Sequence, residues 1–232
     1  MKFVSIIIPV FNESSNLTKL LEEISYTFKN LHVNFEVIII DDASTDDTVH
    51  LIEKLKLFYN FKVKLIKNKK NYGQSYSILK GIKFSSNNTI ITIDGDGQNN
   101  PADIPKLIKK YFSDEELFLV AGIRRKRKDK FIKILSSKIA NKVRKFILDD
   151  NCDDTGCSLK IFDKKTFLKF PYFDGIHRFI PALFNGYSKK MSFVDVDHRK
   201  RLHGVSKYDT LVRLIKGIRD LIKVRKIIKN LK

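Results

Sequence analysis

The feature that most constrains the fold is a regular alternation, over the first hundred residues, of short apolar runs with segments of helical periodicity. The apolar runs predict four β-strands, at residues 4–10, 35–40, 63–66 and 89–93. Helices are predicted after Asn12–Ser14, from a cap near Thr45–Asp47, and over Ser75–Phe84. Because strands that are apolar on both faces must be covered on both sides, the alternation predicts an α/β fold with a mostly parallel central sheet flanked by helices.

Polar side chains follow three of these strands at the points where the strands end. The clusters are Asn12-Glu13, Asp41-Asp42 and Asp94 to Asp96. The carboxyl ends of parallel strands meet at one edge of a sheet, and this edge is where such folds bind their ligands. The three clusters are therefore expected to converge on one site.

The acidic clusters have a chemical interpretation and a plain structural one. Asp94 and Asp96 can present two carboxylates to one Mg²⁺ or Mn²⁺ ion, with Gln98 adding an amide oxygen. An ion held in this way neutralises the departing diphosphate of a nucleotide sugar. The alternative is a solvated turn, and Ser44 to Asp46 can equally serve as a helix cap. Asp41 is not explained by capping, and its carboxylate could accept hydrogen bonds from a nucleobase.

The composition limits the classes of binding partner and the cellular compartment that are expected. With 45 Lys and Arg against 26 Asp and Glu, the formal charge of +19 predicts attraction to nucleic acid, anionic lipid headgroups or phosphorylated substrates. Cys152 and Cys157 lack a second pair that would complete a zinc site, so free thiols in a reducing compartment are expected. Since no apolar run reaches the length that spans a bilayer, the chain is expected on the cytoplasmic side, soluble or peripheral.

The second half of the chain has a different pattern. A strongly basic, helix-like stretch over residues 124–148 is followed by predicted strands at 158–162 and 191–196, with a helix near 178–184 between them. A last amphipathic helix, Thr210–Leu231, carries an apolar stripe among Lys and Arg. The simplest division is one domain over residues 1–208 and a basic amphipathic helix over 209–232. This helix could lie in lipid headgroups or dock on the domain.

Four ordered motifs resemble those of family 2 glycosyltransferases, which have the GT-A fold. Within that family they are most similar to the dolichol-phosphate-mannose synthases and the bacterial polyprenyl-phosphate glycosyltransferases. The motifs are residues 5–13, 40–48, 71–73 and 94–101. The resemblance covers nearly the whole chain, and its implied cofactor is Mg²⁺ or Mn²⁺.

The resemblance implies roles for individual residues on the donor side. The nucleotide site would be lined by Pro9, Phe11, Asn12, Glu13, Asp41, Asp94 and Gly95. Asp41 would contact the base, and the metal ligands would be Asp94, Asp96 and Gln98. Gly95 departs from the family, which often has a larger residue there. The departure is expected to matter little, because the middle residue points away from the ion.

The resemblance extends to the acceptor side. Arg124, Lys133 and Ser137, with Asn141 beyond them, resemble the positions that hold the acceptor lipid phosphate in this branch. The turn over residues 153–157 resembles one of its motifs, in which Asp154 would have an orienting role. Residues 201–208 resemble its basic loop, whose Arg and Lys would clamp the donor diphosphate. The implied catalytic set is Asp96, Asp154, Arg201 and Lys207.

The implied reaction is an inverting transfer of a sugar from a GDP- or UDP-linked donor to a polyprenyl phosphate, by an enzyme peripheral on the inner face of the membrane. Its partners would be the nucleotide sugar, the lipid and an anionic membrane surface, and a separate transmembrane subunit is left open. Residues 173–179 are expected near the acceptor, and the alternative function is a soluble-acceptor glycosyltransferase of polysaccharide or lipopolysaccharide assembly. A nucleic-acid-binding protein is a remote alternative and nucleic acid is not an expected partner, since no recognition motif accompanies the charge.

Overall fold

A computed structural model describes residues 2–125, 141–200 and 210–230 of the chain. The first half alternates strands and helices in the predicted order. Its elements are β1 (Lys2–Val10), α1 (Ser14–Phe28), β2 (Val33–Asp41), α2 (Thr48–Leu55), β3 (Lys62–Lys67), α3 (Gln74–Phe84) and β4 (Thr89–Thr92). Strand β1 lies between β2 and β4, and β3 lies outside β2, with all three pairs parallel. The parallel sheet predicted from the apolar runs is confirmed.

The second half extends the same sheet. Its elements are α4 (Ile104–Tyr111), β5 (Leu119–Arg124), α5 (residues 141–148), β6 (Lys160–Asp163), α6 (Lys164–Phe167), α7 (Ile180–Gly186), β7 (Met191–Val196) and α8 (Thr210–Lys229). The seven strands run in the order β3-β2-β1-β4-β6-β5-β7. Strand β6 is antiparallel to β4 and β5, whereas β5 and β7 are parallel. The sheet is therefore mixed but mostly parallel.

Several boundaries differ from the prediction, and each has a local cause. Strand β6 begins at Lys160 rather than Ser158, because the Ser158 carbonyl accepts the Thr92 hydroxyl at 2.6 Å. The helix expected from Arg178 begins at Ile180, since Pro181 favours the first turn of a helix. Helix α4 was not predicted, because its eight residues follow a single turn of 3₁₀-helix and offer little periodicity.

The sheet separates two apolar cores. Ile6 and Ile8 point to the core that α1, α2 and α4 cover, whereas Ile7 points to the core under α3, α7 and α8. Successive residues of a strand face opposite sides, so a continuous apolar run fills both cores. The continuous runs in the sequence therefore correctly indicated a sheet buried on both faces.

Helix α3 lies unusually close to the sheet because of Gly81. A Cβ atom at this position would lie 2.5 Å from Ile40 Cδ1 and 2.7 Å from Ile7 Cγ2. These distances are well inside van der Waals contact, so a larger residue would push the helix off the strands. The close approach matters to the site because the first turn of α3 stands at the carboxyl edge of the sheet.

We expect Gly81→Ala to lower the free energy of unfolding by about 1–2 kcal/mol, since overpacking outweighs the gain in helix propensity. Gly217→Ala in α8 is the matched control, because a Cβ there meets nothing within 4 Å. The control should leave stability unchanged or slightly raised. Urea unfolding followed by circular dichroism measures both, and equal effects would show that the contact with Ile40 is unimportant.

Candidate active site

The loop that follows β4 brings two carboxylates to the carboxyl edge of the sheet. Asp94 Oδ1 accepts a hydrogen bond from Gln74 Nε2 at 2.7 Å, and Asp96 Oδ1 accepts the Gln98 backbone N–H at 3.1 Å. Burial and the negative charge of Asp96 raise the pKa of Asp94 to about 6, although Ser158 and nearby cations act in the opposite direction. Two carboxylates thus lie close together in this loop, and burial together with their mutual repulsion disfavours the ionised form of Asp94.

Gly95 lets this loop pack against β1. A Cβ atom at position 95 would lie 2.7 Å from Val10 Cγ1 and 3.4 Å from the Pro9 carbonyl oxygen. The position thus faces β1, and Val10 fills the space that a side chain would need. A larger residue at position 95 would require Val10 to move.

The two neighbouring carboxylates fit a divalent cation held by few protein ligands. Among the described residues, no three His, Cys, Asp or Glu side chains are grouped to hold a metal ion by themselves. An ion bound by Asp94 and Asp96 would complete its coordination with oxygens from a bound diphosphate and water. Gln98, a predicted ligand, places its amide nitrogen 3.4 Å from the Arg199 carbonyl oxygen.

The end of β1 is tied to the loop after β2. Asn12 has a left-handed backbone (φ 56°), and its Oδ1 accepts the Thr45 backbone N–H at 2.8 Å. The Asn12 backbone N–H donates to Ser44 Oγ at 2.8 Å, and that of Glu13 donates to Thr48 Oγ1 at 3.0 Å. Asn12 and Glu13, which are predicted to line the nucleotide site, thus also fix the shape of the carboxyl edge of the sheet. The Glu13 carboxylate is buried and accepts from Asn16.

The two aspartates at the end of β2 face different neighbours. Asp41 is buried and accepts the Ser44 backbone N–H at 3.2 Å, so it shapes the loop as well as lying at the edge. Asp42 accepts the backbone N–H groups of Tyr72 and Gly73 at 2.9 and 2.7 Å. Asp42 is not among the site residues predicted from the sequence. Strand alternation could have revealed it, because adjacent residues point to opposite faces.

Arg124 and Asp154 form a two-pronged ion pair beside the loop of Asp94. The Arg124 Nε donates to Asp154 Oδ2 at 2.6 Å and its Nη2 donates to Oδ1 at 2.8 Å. A Cβ at Gly156 would lie 2.9 Å from Arg124 Nη2, so this glycine makes room for the pair. Asp154, which is predicted to have an orienting role, therefore fixes the orientation of the Arg124 guanidinium. This guanidinium is predicted to bind the acceptor phosphate.

Lys160 is a buried cation that is not among the site residues predicted from the sequence. Its ammonium donates to the carbonyl oxygens of Thr155 and Cys157, and burial lowers its pKa. Its charge acts on Asp94 together with that of Arg124. A lone lysine inside the apolar run of residues 159–162 is the signal that could have identified it, since lysine is seldom fully buried unless paired.

The turn that carries Asp154 is anchored by α5. Arg144 Nη1 donates to Thr155 Oγ1 at 2.7 Å, and Arg144 Nη2 donates to Asp150 Oδ1 at 3.1 Å. Asn141, which was likened to an acceptor-binding position, donates instead to the Asp153 carbonyl oxygen at 2.8 Å. The position of Asp154 is thus set from several sides.

Four predicted site residues lie outside the described residues: Lys133, Ser137, Arg201 and Lys207. The chain just before Arg201 is held against the loop after Asp96, because the Arg199 backbone N–H donates to the Gln98 carbonyl oxygen at 2.9 Å. The Arg199 guanidinium also pairs with Glu23 at 2.7 Å.

The two cysteines flank the turn of Asp154 as buried free thiols. Burial raises the pKa of both, that of Cys152 to about 11, so both remain protonated and poorly nucleophilic at neutral pH. The described structure therefore agrees with the expected free thiols and gives them no catalytic role.

Comparison with known proteins identifies the family. Residues 5–171 match the sequence profile of Glycosyl transferase family 2. The undecaprenyl-phosphate 4-deoxy-4-formamido-L-arabinose transferase of Aeromonas hydrophila is 32% identical over 222 residues, which are 96% of this chain and 67% of that protein. These two findings establish membership independently of the site geometry.

Solved structures establish the fold. Glucosyl-3-phosphoglycerate synthase from Mycobacterium tuberculosis, in complex with UDP, superposes with a TM-score of 0.74 at 16% identity, over 97% of this chain and 80% of that chain. Mannosyl-3-phosphoglycerate synthase from Rubrobacter xylanophilus superposes with a TM-score of 0.72 at 14% identity, over 97% of this chain and 74% of that chain. The mycobacterial enzyme has also been solved with UDP and Mn²⁺ or Mg²⁺. The profile match and this likeness together show that the chain belongs to glycosyl transferase family 2 and is a glycosyltransferase with the GT-A fold.

Proposed function

We propose that this glycosyltransferase moves a sugar from a nucleotide-diphosphate donor to a polyprenyl phosphate at the inner face of a membrane. The observation that carries the proposal is the 32% identity, along 96% of the chain, to a relative whose name specifies an undecaprenyl-phosphate acceptor. The site geometry supports it, because a paired Arg124 lies next to the carboxylates that suit a metal-bound diphosphate.

On the donor side, Asp94 and Asp96 would hold Mg²⁺ or Mn²⁺, with Gln98 nearby. When bound, such an ion supplies positive charge to the departing diphosphate. The nucleotide would lie along the strand ends, lined by Pro9, Phe11, Asn12, Glu13, Asp41 and Gly95. The raised pKa of Asp94 supports this arrangement, because a bound cation would offset the burial and the repulsion by Asp96 that disfavour the ionised carboxylate.

The proposed chemistry is a direct displacement with inversion. A phosphate oxygen of the lipid forms a bond to the anomeric carbon, and the bond from that carbon to the diphosphate oxygen breaks, with its electron pair leaving on the diphosphate. A lipid phosphate is already ionised at neutral pH, so alignment matters more than a general base. Arg201 and Lys207 would stabilise the charge that develops on the diphosphate. Their proposed role is supported by the contact of Arg199 with Gln98.

On the acceptor side, Arg124, Lys133 and Ser137 would bind the lipid phosphate. Arg124 suits this role because Asp154 fixes its guanidinium, so little side-chain freedom is lost when a phosphate binds. Asp154 would act by orienting Arg124, in line with the role that the resemblance implied.

Helix α8 supports a peripheral association with the membrane. Leu221 and Val224 are buried in the domain, whereas Ile218 and Ile222 are 51% and 54% exposed. Exposed basic residues, among them Lys223, stand beside these isoleucines. The helix thus docks on the domain with one face and offers a basic, apolar face to a lipid surface. No helix in the described parts of the chain has the length and apolarity to cross a bilayer.

The acceptor can be tested with purified protein, short-chain polyprenyl phosphate and a panel of GDP- and UDP-sugars. We expect transfer to the lipid phosphate, and Lys133→Ala should lower this transfer at least tenfold more than it lowers hydrolysis of the donor by water. Lys142→Ala, which removes an exposed lysine of α5, is the control. Transfer to soluble sugars or phosphoglycerate with none to the lipid would establish the soluble-acceptor alternative.

The metal site can be tested by its dependence on pH. Protonation of Asp94 competes with a cation, so Mn²⁺ affinity measured by calorimetry in the presence of nucleoside diphosphate should be high at pH 7.5 and fall as the pH drops through about 6. Asp96→Asn should reduce turnover by orders of magnitude with the fold intact. Glu115→Gln removes an exposed carboxylate far from the site and should change neither quantity. Full activity of wild type in excess chelator would contradict the assignment.

Membrane association can be tested by flotation with vesicles that contain anionic lipid. The double substitution Ile218→Ser with Ile222→Ser should weaken binding, and added salt should release the wild type, because exposed charges are screened over about 8 Å at physiological ionic strength. Leu57→Ser with Phe58→Ser removes two apolar side chains that are even more exposed, 87% and 77%, between α2 and β3 and should have no effect. Equal loss in both double variants would count against a specific lipid-facing side.

A further inference from the structure

Gln74, the first residue of α3, contacts the loop that carries Asp94 and Asp96, called here the carboxylate loop. The Gln74 side-chain Nε2 donates to Asp94 Oδ1 at 2.7 Å. An ionised carboxylate can only accept hydrogen bonds, so the nitrogen of the amide must face Asp94. Hydrogen bonds to charged oxygens are among the stronger ones in proteins. A helix residue twenty positions away in the chain is therefore a direct partner of a proposed metal ligand.

Ser158 is a second side chain that reaches Asp94, but its hydroxyl has a competing acceptor. It forms a hydrogen bond that acts to lower the pKa of Asp94, and its Oγ also lies 2.6 Å from Asn99 Oδ1. A hydroxyl has one proton, so Ser158 can donate to only one of these acceptors at a time. The Gln74 amide has two N–H groups and can give one of them to Asp94 permanently. Asp94 therefore depends on Gln74 more than on Ser158.

The backbone that carries Gln74 is fixed on both sides. Before it, the Gly73 backbone N–H donates to Asp42 Oδ2 at 2.7 Å, and Gly73 has φ 87°, a left-handed conformation that glycine adopts without strain. After it, the completely buried Ser75 accepts the Gly175 backbone N–H through Oγ at 2.8 Å. The Gln74 side chain thus extends to Asp94 from a backbone whose position is set by the end of β2 and by residue 175. Such support suits a residue that must hold another one in place.

The surroundings of Asp94 explain why a fixed donor matters there. Burial and the negative charge of Asp96 both disfavour the ionised form of Asp94. The repulsion between the two carboxylates falls with distance, so it favours their turning apart. A donor in a fixed position opposes this movement, because it stabilises the ionised carboxylate in one orientation. When a metal ligand loses such a hydrogen-bond partner, metal affinity typically falls by roughly 10–100-fold.

We propose that Gln74 is a positioning residue of the metal site, which holds the Asp94 carboxylate in the orientation that binds Mg²⁺ or Mn²⁺ together with Asp96. The inference rests on the proposed function in assigning a divalent cation to these two carboxylates, and it requires no particular acceptor. Gln74 acts through Asp94 and is not itself a ligand. Its effect on cation affinity should therefore disappear when Asp94 no longer offers a carboxylate.

A double-mutant cycle on Mn²⁺ binding tests this dependence. Calorimetry measures Mn²⁺ affinity in the presence of UDP or GDP, whichever the wild type binds more tightly. Gln74→Met keeps the length of the side chain and removes the donor, so it should lower Mn²⁺ affinity about tenfold. In the Asp94→Asn background, the same substitution should change the remaining Mn²⁺ affinity by less than about twofold. Gln74→Ala, which removes the side chain beyond Cβ, should repeat both results.

Two measurements separate positioning from a purely structural effect. Binding of the nucleoside diphosphate in excess chelator should be equal in wild type and Gln74→Met, because the metal site then makes no contribution. Lys83→Met is the matched control, since it places the same side chain at the exposed far end of α3, and it should leave Mn²⁺ affinity unchanged. Urea unfolding in chelator checks that each variant is folded.

Three results would overturn the proposal alone: unchanged Mn²⁺ affinity in Gln74→Met, equal losses in both backgrounds, or a parallel loss of nucleotide binding in chelator. A wild type that binds no Mn²⁺ would refute the proposed metal site and this inference together. A failed lipid acceptor would leave all of these binding results intact, so the acceptor and the role of Gln74 are tested separately.

Discussion

Negative charge at the end of β4 is the constraint on which much of the remaining structure depends. Asp94 stands beside Asp96 in a largely dry setting, where like charges repel strongly. Two nearby cations act against this repulsion, the buried Lys160 and the partly buried Arg124, and each needs its own partners. Lys160 is held by backbone carbonyls and Arg124 by Asp154, whose turn is held in turn by Arg144. A connected series of ion pairs and hydrogen bonds thus extends from the loop of Asp94 to α5.

The local part of this arrangement could be predicted from the sequence, and the long-range part could not. The strands β1 to β4 and the acidic residues at their ends follow from apolar runs and turns that are contiguous in the chain. Gln74 and Lys160 interact with Asp94 but lie far from it in the sequence. Such long-range contacts leave no pattern of residue spacing from which they could be predicted. Strand β5 was obscured because it ends in Gly122 and Arg124 and leads into the basic segment.

The C-terminal helix serves the core as well as the surface. Leu221 and Val224 belong to the apolar cluster beneath α3 and α7, and Asp220 pairs with Arg178. The domain boundary at residue 208 stays a prediction. Because α8 also packs in the core, point substitutions on its outer face test membrane association more cleanly than removal of the helix does. Helix α8 is joined to the segment of residues 173–178 by the Arg178–Asp220 ion pair and by Lys223, whose Nζ lies 5.3 Å from the centroid of the Phe173 ring.

The position of β6 has a consequence for how the enzyme matures. Strands β1 to β4 all lie within the first 92 residues, whereas β6 follows β4 some seventy residues later, as shown by the pairing of Ile91 with Ile161. During synthesis the first four strands are therefore complete before β6 has been made. A nascent chain can therefore assemble the carboxylate loop before Lys160 and the Arg124–Asp154 pair arrive. The carboxylate loop would then bind a cation tightly only after the second half of the chain has folded.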